Sequence, residues 1–301
     1  MADLRTDDGA RLYYEHHLPS GVSSRSSSGS SSGDEAPRPT VIFSCAFCTT
    51  HENWRGQVAP LVAAGHPVVL WDLRGHGRSE APQDDAAYSI ERVVADLLTL
   101  AEATTPGAPF VAAGLSFGGL ASLHFASRHP ERVAALALFA SGPGFKNPDA
   151  AARWAAQVER TARFLETRGL DDFVSGRAGV TCVGSKPELP AARAAADAIR
   201  AQDAAGVARF GRRVAGPAPS VIDALAGMDV PALVLVGEKD EAYLRAGEVM
   251  AAKLPKASHV VIPEAGHIVN IEQAEAFDRA LLDFLASLDP LAAAAAPPRA
   301  R

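Results

Sequence analysis

The chain has 301 residues, 48% of them apolar, and a net charge of -6, which suits one large α/β domain or two small ones with a substantial core. Charges of both signs are spread along it, with no basic patch of the kind that nucleic-acid binding needs. Met1–Arg11 is too polar for a signal peptide, and no later run is long enough to span a bilayer. Three cysteines, an odd and low number, argue against a disulfide framework and for a reducing, cytoplasmic setting.

Leu4 to His17 alternates loosely around the turn pair Asp8-Gly9 and predicts a β-hairpin at a sheet edge. Residues 19–39 hold a serine tract, Ser23 to Ser32, too polar to order itself, and read as a flexible surface loop between two strands. Thr40–Ser44 and Pro67–Asp72 are apolar strand candidates, with a helix expected over Glu52–Ala64 that ends at Gly65. Ile90–Ala103 has helical spacing and Ser89 as its cap. Phe110–Ala113 is a buried strand, Gly119–Arg128 a helix, and Val133–Phe139 another continuous apolar run. Strands and helices alternating in this way imply right-handed crossovers and a parallel sheet covered on both faces.

The rhythm breaks between Lys146 and Asp229, where Ala- and Arg-rich segments carry helical spacing and no strand. Trp154, Val158 and Leu165 share one helix face there, as ordinary packing. Strand, helix, strand and helix then return over Ala232–Val236, Ala242–Leu254, His259–Ile262 and Ile271–Leu288. The expected organisation is therefore a core of 1–145 and 230–290, a helical insertion over 146–229, and a frayed tail over 291–301.

Gly114-Leu115-Ser116-Phe117-Gly118 lies where the strand Phe110–Ala113 turns into a helix, and G-x-S-x-G at such a turn is a nucleophile elbow. The serine sits in a strained conformation at a helix N-terminus, and a Cβ at either glycine collides with neighbouring backbone. A serine hydroxyl needs a base, and an imidazole needs a carboxylate to fix its tautomer. Asp240 follows the strand ending at Val236, and His267 follows the one ending at Ile262. Both lie on loops, in the order acid then histidine. Ala140-Ser141-Gly142-Pro143, after Val133–Phe139, offers no carboxylate, while Glu238, Glu241 and Glu264 are lesser candidates read as solvated. The catalytic candidates are Ser116, Asp240 and His267.

With these residues in place the chain resembles the α/β-hydrolase superfamily over almost its whole length. The resemblance rests on the elbow, on Asp72-Leu73-Arg74-Gly75-His76-Gly77-Arg78-Ser79, on Gly237-x-x-Asp240 and on Ala265-Gly266-His267. Val269-Asn270-Ile271-Glu272-Gln273 is similar to the branch of enol-lactonases, small esterases and carbon–carbon bond hydrolases, in which a helical cap lies between the sixth and seventh strands. The resemblance implies a mostly parallel central sheet flanked by helices, a cap over 146–229, a structural role for Arg74 and His76, and no metal or organic cofactor. It also assigns the oxyanion-hole N–H groups to Phe47 and Phe117. Cys45-Ala46 stands where the family usually has His-Gly, a change that a backbone donor tolerates.

Cys45 and Cys48 form C-x-x-C without a second ligand pair, and Cys182 is remote in sequence, so they read as two small buried thiols. His51 is either a substrate contact or a helix-start polar residue, the commoner case. The expected function is a serine hydrolase of small esters or lactones. The alternatives are cleavage of a carbon–carbon bond in a vinylogous diketone and a non-catalytic ligand-binding protein on the same fold. Ten arginines between 146 and 229 read as solvated helix faces, with the sharper option that one or two attract a carboxylate-bearing substrate.

Overall fold

The computed structural model describes residues 2–20 and 38–295. The serine tract and residues 296–301 therefore lie outside the described residues. The hairpin expected at the N-terminus pairs β1 (Ala2–Arg5) with β2 (Arg11–His17) in antiparallel register, with Gly9 at φ +86° in the turn. The strands β3 (Val41–Ser44), β4 (Val68–Trp71), β5 (Phe110–Leu115), β6 (Val133–Phe139), β7 (Pro231–Gly237) and β8 (Lys256–Ile262) complete the sheet. It has eight strands in the order β1-β2-β4-β3-β5-β6-β7-β8, parallel from β4 onward. β3, β4 and β5 are buried along their whole length, as their unbroken apolar runs require. β8 is the exception: it lies at the sheet edge, and Val261 is exposed there.

Helices α1 (Arg55–Ala63), α2 (Ile90–Thr104) and α3 (Phe117–Arg128) alternate with these strands, and Ser89 Oγ caps α2 by accepting from Arg92 N–H. Between β6 and β7 the chain is helical: α4 (Pro148–Ser175), interrupted at Gly169, then α5 (Val180–Val183), α6 (Pro190–Arg200) and α7 (Ala204–Phe210). Val158 and Leu165 are buried on one face of α4, and Trp154 Nε1 donates to Ala215 O in a five-residue π-helical turn that follows α7. After β7 come α8 (Glu241–Lys253), α9 (Val269–Glu272) and α10 (Ala274–Ala295).

The last helix departs from the expected Ile271–Leu288. Gln273 leaves helical geometry at φ -138°, which separates the short α9 from α10, and α10 itself runs on to Ala295. The break follows Glu272, which is buried with its carboxylate engaged by the histidine loop and by Ser185. Beyond the break, Phe277, Leu281, Leu285 and Leu288 form a buried stripe at spacings of three and four residues. Such burial stabilises by about 1.5–3 kcal/mol per side chain. Among the described residues no helix is long and apolar enough to cross a membrane.

Candidate active site

Four parallel strands deliver the candidate residues, each from its C-terminal end, where open α/β sheets place their sites. Ser116 follows β5 directly, at φ +53° and ψ -114°, and opens α3. Both elbow glycines are required. A Cβ on Gly114 would strike Gly118, and one on Gly118 would strike the carbonyls of Ser44 and Cys45, so the elbow packs on the chain leaving β3. Ser141 Oγ donates to Ser116 O at 2.7 Å, a use for the loop after β6 that its lack of carboxylates did not reveal.

Asp240 and His267 come together. Nδ1 of His267 lies 2.7 Å from Asp240 Oδ2, with both residues largely buried. The carboxylate accepts, so Nδ1 carries the proton and Nε2 is left as the basic nitrogen. Their loops are tied to each other: Lys239 N–H donates to Ala265 O at 2.8 Å, and a Cβ on Gly237 would meet the carbonyls of Ala265 and Gly266. Glu272 Oε2 accepts from Gly266 N–H at 3.2 Å and from Ser185 Oγ at 2.5 Å, linking the histidine loop to the helical insertion. Of the lesser acid candidates, Glu264 pairs with Lys239, Glu238 accepts from Glu264 N–H, and Glu241 is exposed.

The described partner of Ser116 Oγ is Tyr243 Oη, at 3.3 Å, rather than the imidazole. Tyr243 stands on the first turn of α8, and its ring stacks on His267 with centroids 4.9 Å apart and planes at 29°. Burial pushes its phenol above the usual range, so it is neutral at ordinary pH. Sequence reasoning missed this residue.

Phe117 follows the serine in the chain, and Phe47 lies on the loop after β3, where Ser44 and Cys45 pack on the elbow. Phe117 N–H belongs to the first turn of α3, where no intrahelical acceptor precedes it. Phe47 lies on a loop fixed on its far side, because Thr49 N–H donates to Ala46 O and Cys48 N–H donates to His76 Nε2 at 3.2 Å. His76 Nδ1 faces Arg74 O, and burial holds this imidazole down at about 4, which keeps Nε2 an acceptor. Arg74 is fully buried between Asp96 and Asp8. Phe210, at the end of α7, sets its ring edge against Phe117 at 5.1 Å and against His76 at 4.6 Å, and stacks on Phe47 at 6.3 Å.

The remaining sequence candidates lie elsewhere. His51 is held by Asp72, with Nδ1 at 2.9 Å from Oδ2, so it acts as a buried polar residue at a helix start. Cys45, Cys48 and Cys182 are free and buried. Cys48 neighbours Cys182, and the Cys45 sulfur donates to Trp71 O at 3.2 Å. Six of the ten arginines of the insertion are paired with carboxylates of this chain. Arg209 and Arg213 pair with Asp85, Arg212 with Glu159 and Glu166, and Arg163, Arg168 and Arg200 with neighbouring carboxylates. The cavity of about 440 Å³ lined by Arg209, Arg212 and Arg213 excludes Ser116.

A parallel sheet with an elbow after its central strand, and an acid and a histidine after two later strands, defines a class, and residues 39–274 match it: the chain belongs to the α/β hydrolase fold family. It is similar to the pimeloyl-[acyl-carrier protein] methyl ester esterase of Chromobacterium violaceum, at 33% identity over 78% of this chain and 90% of that one. It is also similar to 3-oxoadipate enol-lactonase 1 of Acinetobacter baylyi, at 28% identity over 83% and 90% of the two chains. Among solved structures, the enol-lactonase from Burkholderia xenovorans LB400 superposes with a TM-score of 0.75 at 26% identity, over 95% of this chain and all of that one.

Proposed function

We propose that the protein is a serine hydrolase of small carboxylic esters or lactones. Ser116 Oγ turns from Tyr243 toward His267 Nε2, loses its proton to that nitrogen and attacks the substrate carbonyl. Asp240 holds the imidazole in the required tautomer and stabilises its charged form. The N–H groups of Phe47 and Phe117 receive the oxyanion. His267 then protonates the leaving oxygen, and water, deprotonated by the same nitrogen, resolves the acyl-enzyme. None of these steps calls on a metal or organic cofactor.

Residues 146–229 serve as a cap, a role supported by Phe210 lying against both Phe47 and Phe117. Three free, buried cysteines suit a reducing compartment such as the cytoplasm. The observation that carries the reading is the 2.7 Å Asp240–His267 bond beside a serine held in the strained conformation of an elbow. The ester and lactone class is taken from the named activities of the relatives. A fluorophosphonate probe should label the protein and fail to label Ser116→Ala. A panel of acyl esters and lactones should show turnover that this variant lacks. A protein that binds panel members without labelling or turnover would be a ligand-binding member of the fold instead.

A further inference from the structure

We infer that Tyr243 is a catalytic residue that donates a hydrogen bond to the leaving-group oxygen, on the side of Ser116 opposite the oxyanion hole. The inference rests on the serine-hydrolase reading above and adds a group that reading does not use.

Three features of the structure carry it. The strand order puts β3 on one side of β5 and β7 and β8 on the other. The loop bearing Phe47 and the turn bearing Tyr243 therefore approach Ser116 from opposite directions. A carbonyl oxygen directed toward Phe47 and Phe117 leaves the scissile oxygen on the histidine side. Next, the Tyr243 ring lies on the imidazole with its hydroxyl 3.3 Å from Ser116 Oγ, so the phenol stands beside both the nucleophile and the base. The leaving oxygen must come to the base to collect the proton from Nε2. Finally, Tyr243 N–H donates to Asp240 O at 2.9 Å, so one turn of chain fixes both the acid and the phenol relative to His267.

In the free enzyme the phenol pairs with Ser116. During acylation the Oγ–carbon bond forms as the serine proton passes to Nε2, and the carbon–oxygen bond to the alcohol breaks as that proton passes to the alcohol oxygen. Tyr243 keeps its proton throughout. With Oγ bonded to carbon, the leaving oxygen becomes the nearest acceptor for the phenol, and the hydrogen bond strengthens as charge builds there. A ring without the hydroxyl would pack on the imidazole equally well, so packing and chemistry are separable.

The test is a series of esters with one acyl group and alcohols that run from nitrophenol through phenol to simple alkanols, hydrolysed by wild type and Tyr243→Phe. The nitrophenyl ester, whose leaving group needs little help, gives the reference ratio of variant to wild-type kcat/KM, which includes the loss of the bond to Ser116. For alkyl esters the variant should fall by about tenfold or more below that reference, the worth of one charge-assisted hydrogen bond. The dependence on leaving-group pKa then steepens. A partly unfolded preparation lowers every ester by the same factor, so the slope is independent of the folded fraction. Parallel slopes, with hydrolysis abolished in Ser116→Ala, would overturn the role of Tyr243 and leave the serine hydrolase intact. Fluorophosphonate labelling, which expels fluoride, reads out any change in the readiness of Ser116 when its hydrogen bond to Tyr243 is lost; an alkyl-ester loss no greater than the change in labelling rate would show a tyrosine that merely restrains the serine, and would also overturn the inference. Absence of any Ser116-dependent hydrolysis would remove the serine-hydrolase reading and this inference with it.

Discussion

Ser116 at φ +53° holds backbone strain at the turn from β5 into α3, and the residues around it determine whether that strain is useful. Its proposed partners were legible because each combines a chemistry-bearing residue type with a position just past a parallel strand. Asp240→Asn is expected to lower ester turnover by roughly 10³-fold or more, since an amide no longer enforces the Nδ1–H tautomer. Combining it with Ser116→Ala should cost little beyond Ser116→Ala alone, because the three groups act as one unit. Steady-state kinetics of the single and double variants check this, and losses that simply multiply would contradict the assignment. Tyr243 was not legible. A tyrosine in the first turn of a helix reads as packing, and only the meeting of α8 with the elbow shows where its hydroxyl goes. Cys45 and Cys48, read from the sequence as small buried thiols, are free and buried, but the neighbour of Cys48 was not legible. The left-handed backbone at Cys48, φ +71°, accompanies a loop that brings its sulfur to Cys182, 134 positions away, and no local spacing encodes that contact.

At the scale of elements, the site depends on how the loop after β3 is held against the elbow. Gly118→Ala should push the elbow off Ser44 and Cys45, costing about 1–3 kcal/mol of stability as overpacking does and lowering turnover more than binding. Chemical denaturation and a kcat against KM comparison measure the two effects. Loop support also has a pH signature. Burial holds His76 and His124 at about 4, below the ordinary imidazole value of 6.5. The unfolded chain therefore binds more protons between those limits, and stability should fall as pH drops from about 6.5 toward 4, by up to about 3 kcal/mol per imidazole. Glu15, held well below the carboxylate range by its hydrogen bond with Arg55, loses its contribution only in stronger acid. Urea midpoints at pH 7 and pH 4.5 read this out, and equal midpoints would contradict it. Strand and helix positions were largely legible from apolar runs and caps. The break at Gln273 was not, because it follows from Glu272 turning inward to a loop and to Ser185, a tertiary demand that overrides helix propensity.

For the whole molecule, the parallel sheet from β4 onward fixes which loops converge, and the helices between β6 and β7 supply Phe210 to the aromatic cluster beside the serine. Their helical nature was legible from the absence of strand-like runs, but the fate of their arginines was not. Carboxylates as distant as Asp85 and as near as Glu159 take them up, and pairing of that kind depends on the folded surface. Deleting Ser23 to Ser32, a tract too polar by sequence to order itself, should leave turnover nearly unchanged, since shortening a flexible connection carries little closure cost. A large loss in the activity assay would mean that the tract reaches the site. The central claim is that hydrolysis passes through an ester on Ser116. Rapid acid quench during turnover of an activated ester, followed by peptide mass mapping, tests it most directly. One acyl group is expected on the peptide carrying Ser116, and none in Ser116→Ala. Turnover with no acylated peptide in an ester series that shows burst kinetics, or the same adduct in Ser116→Ala, would contradict it.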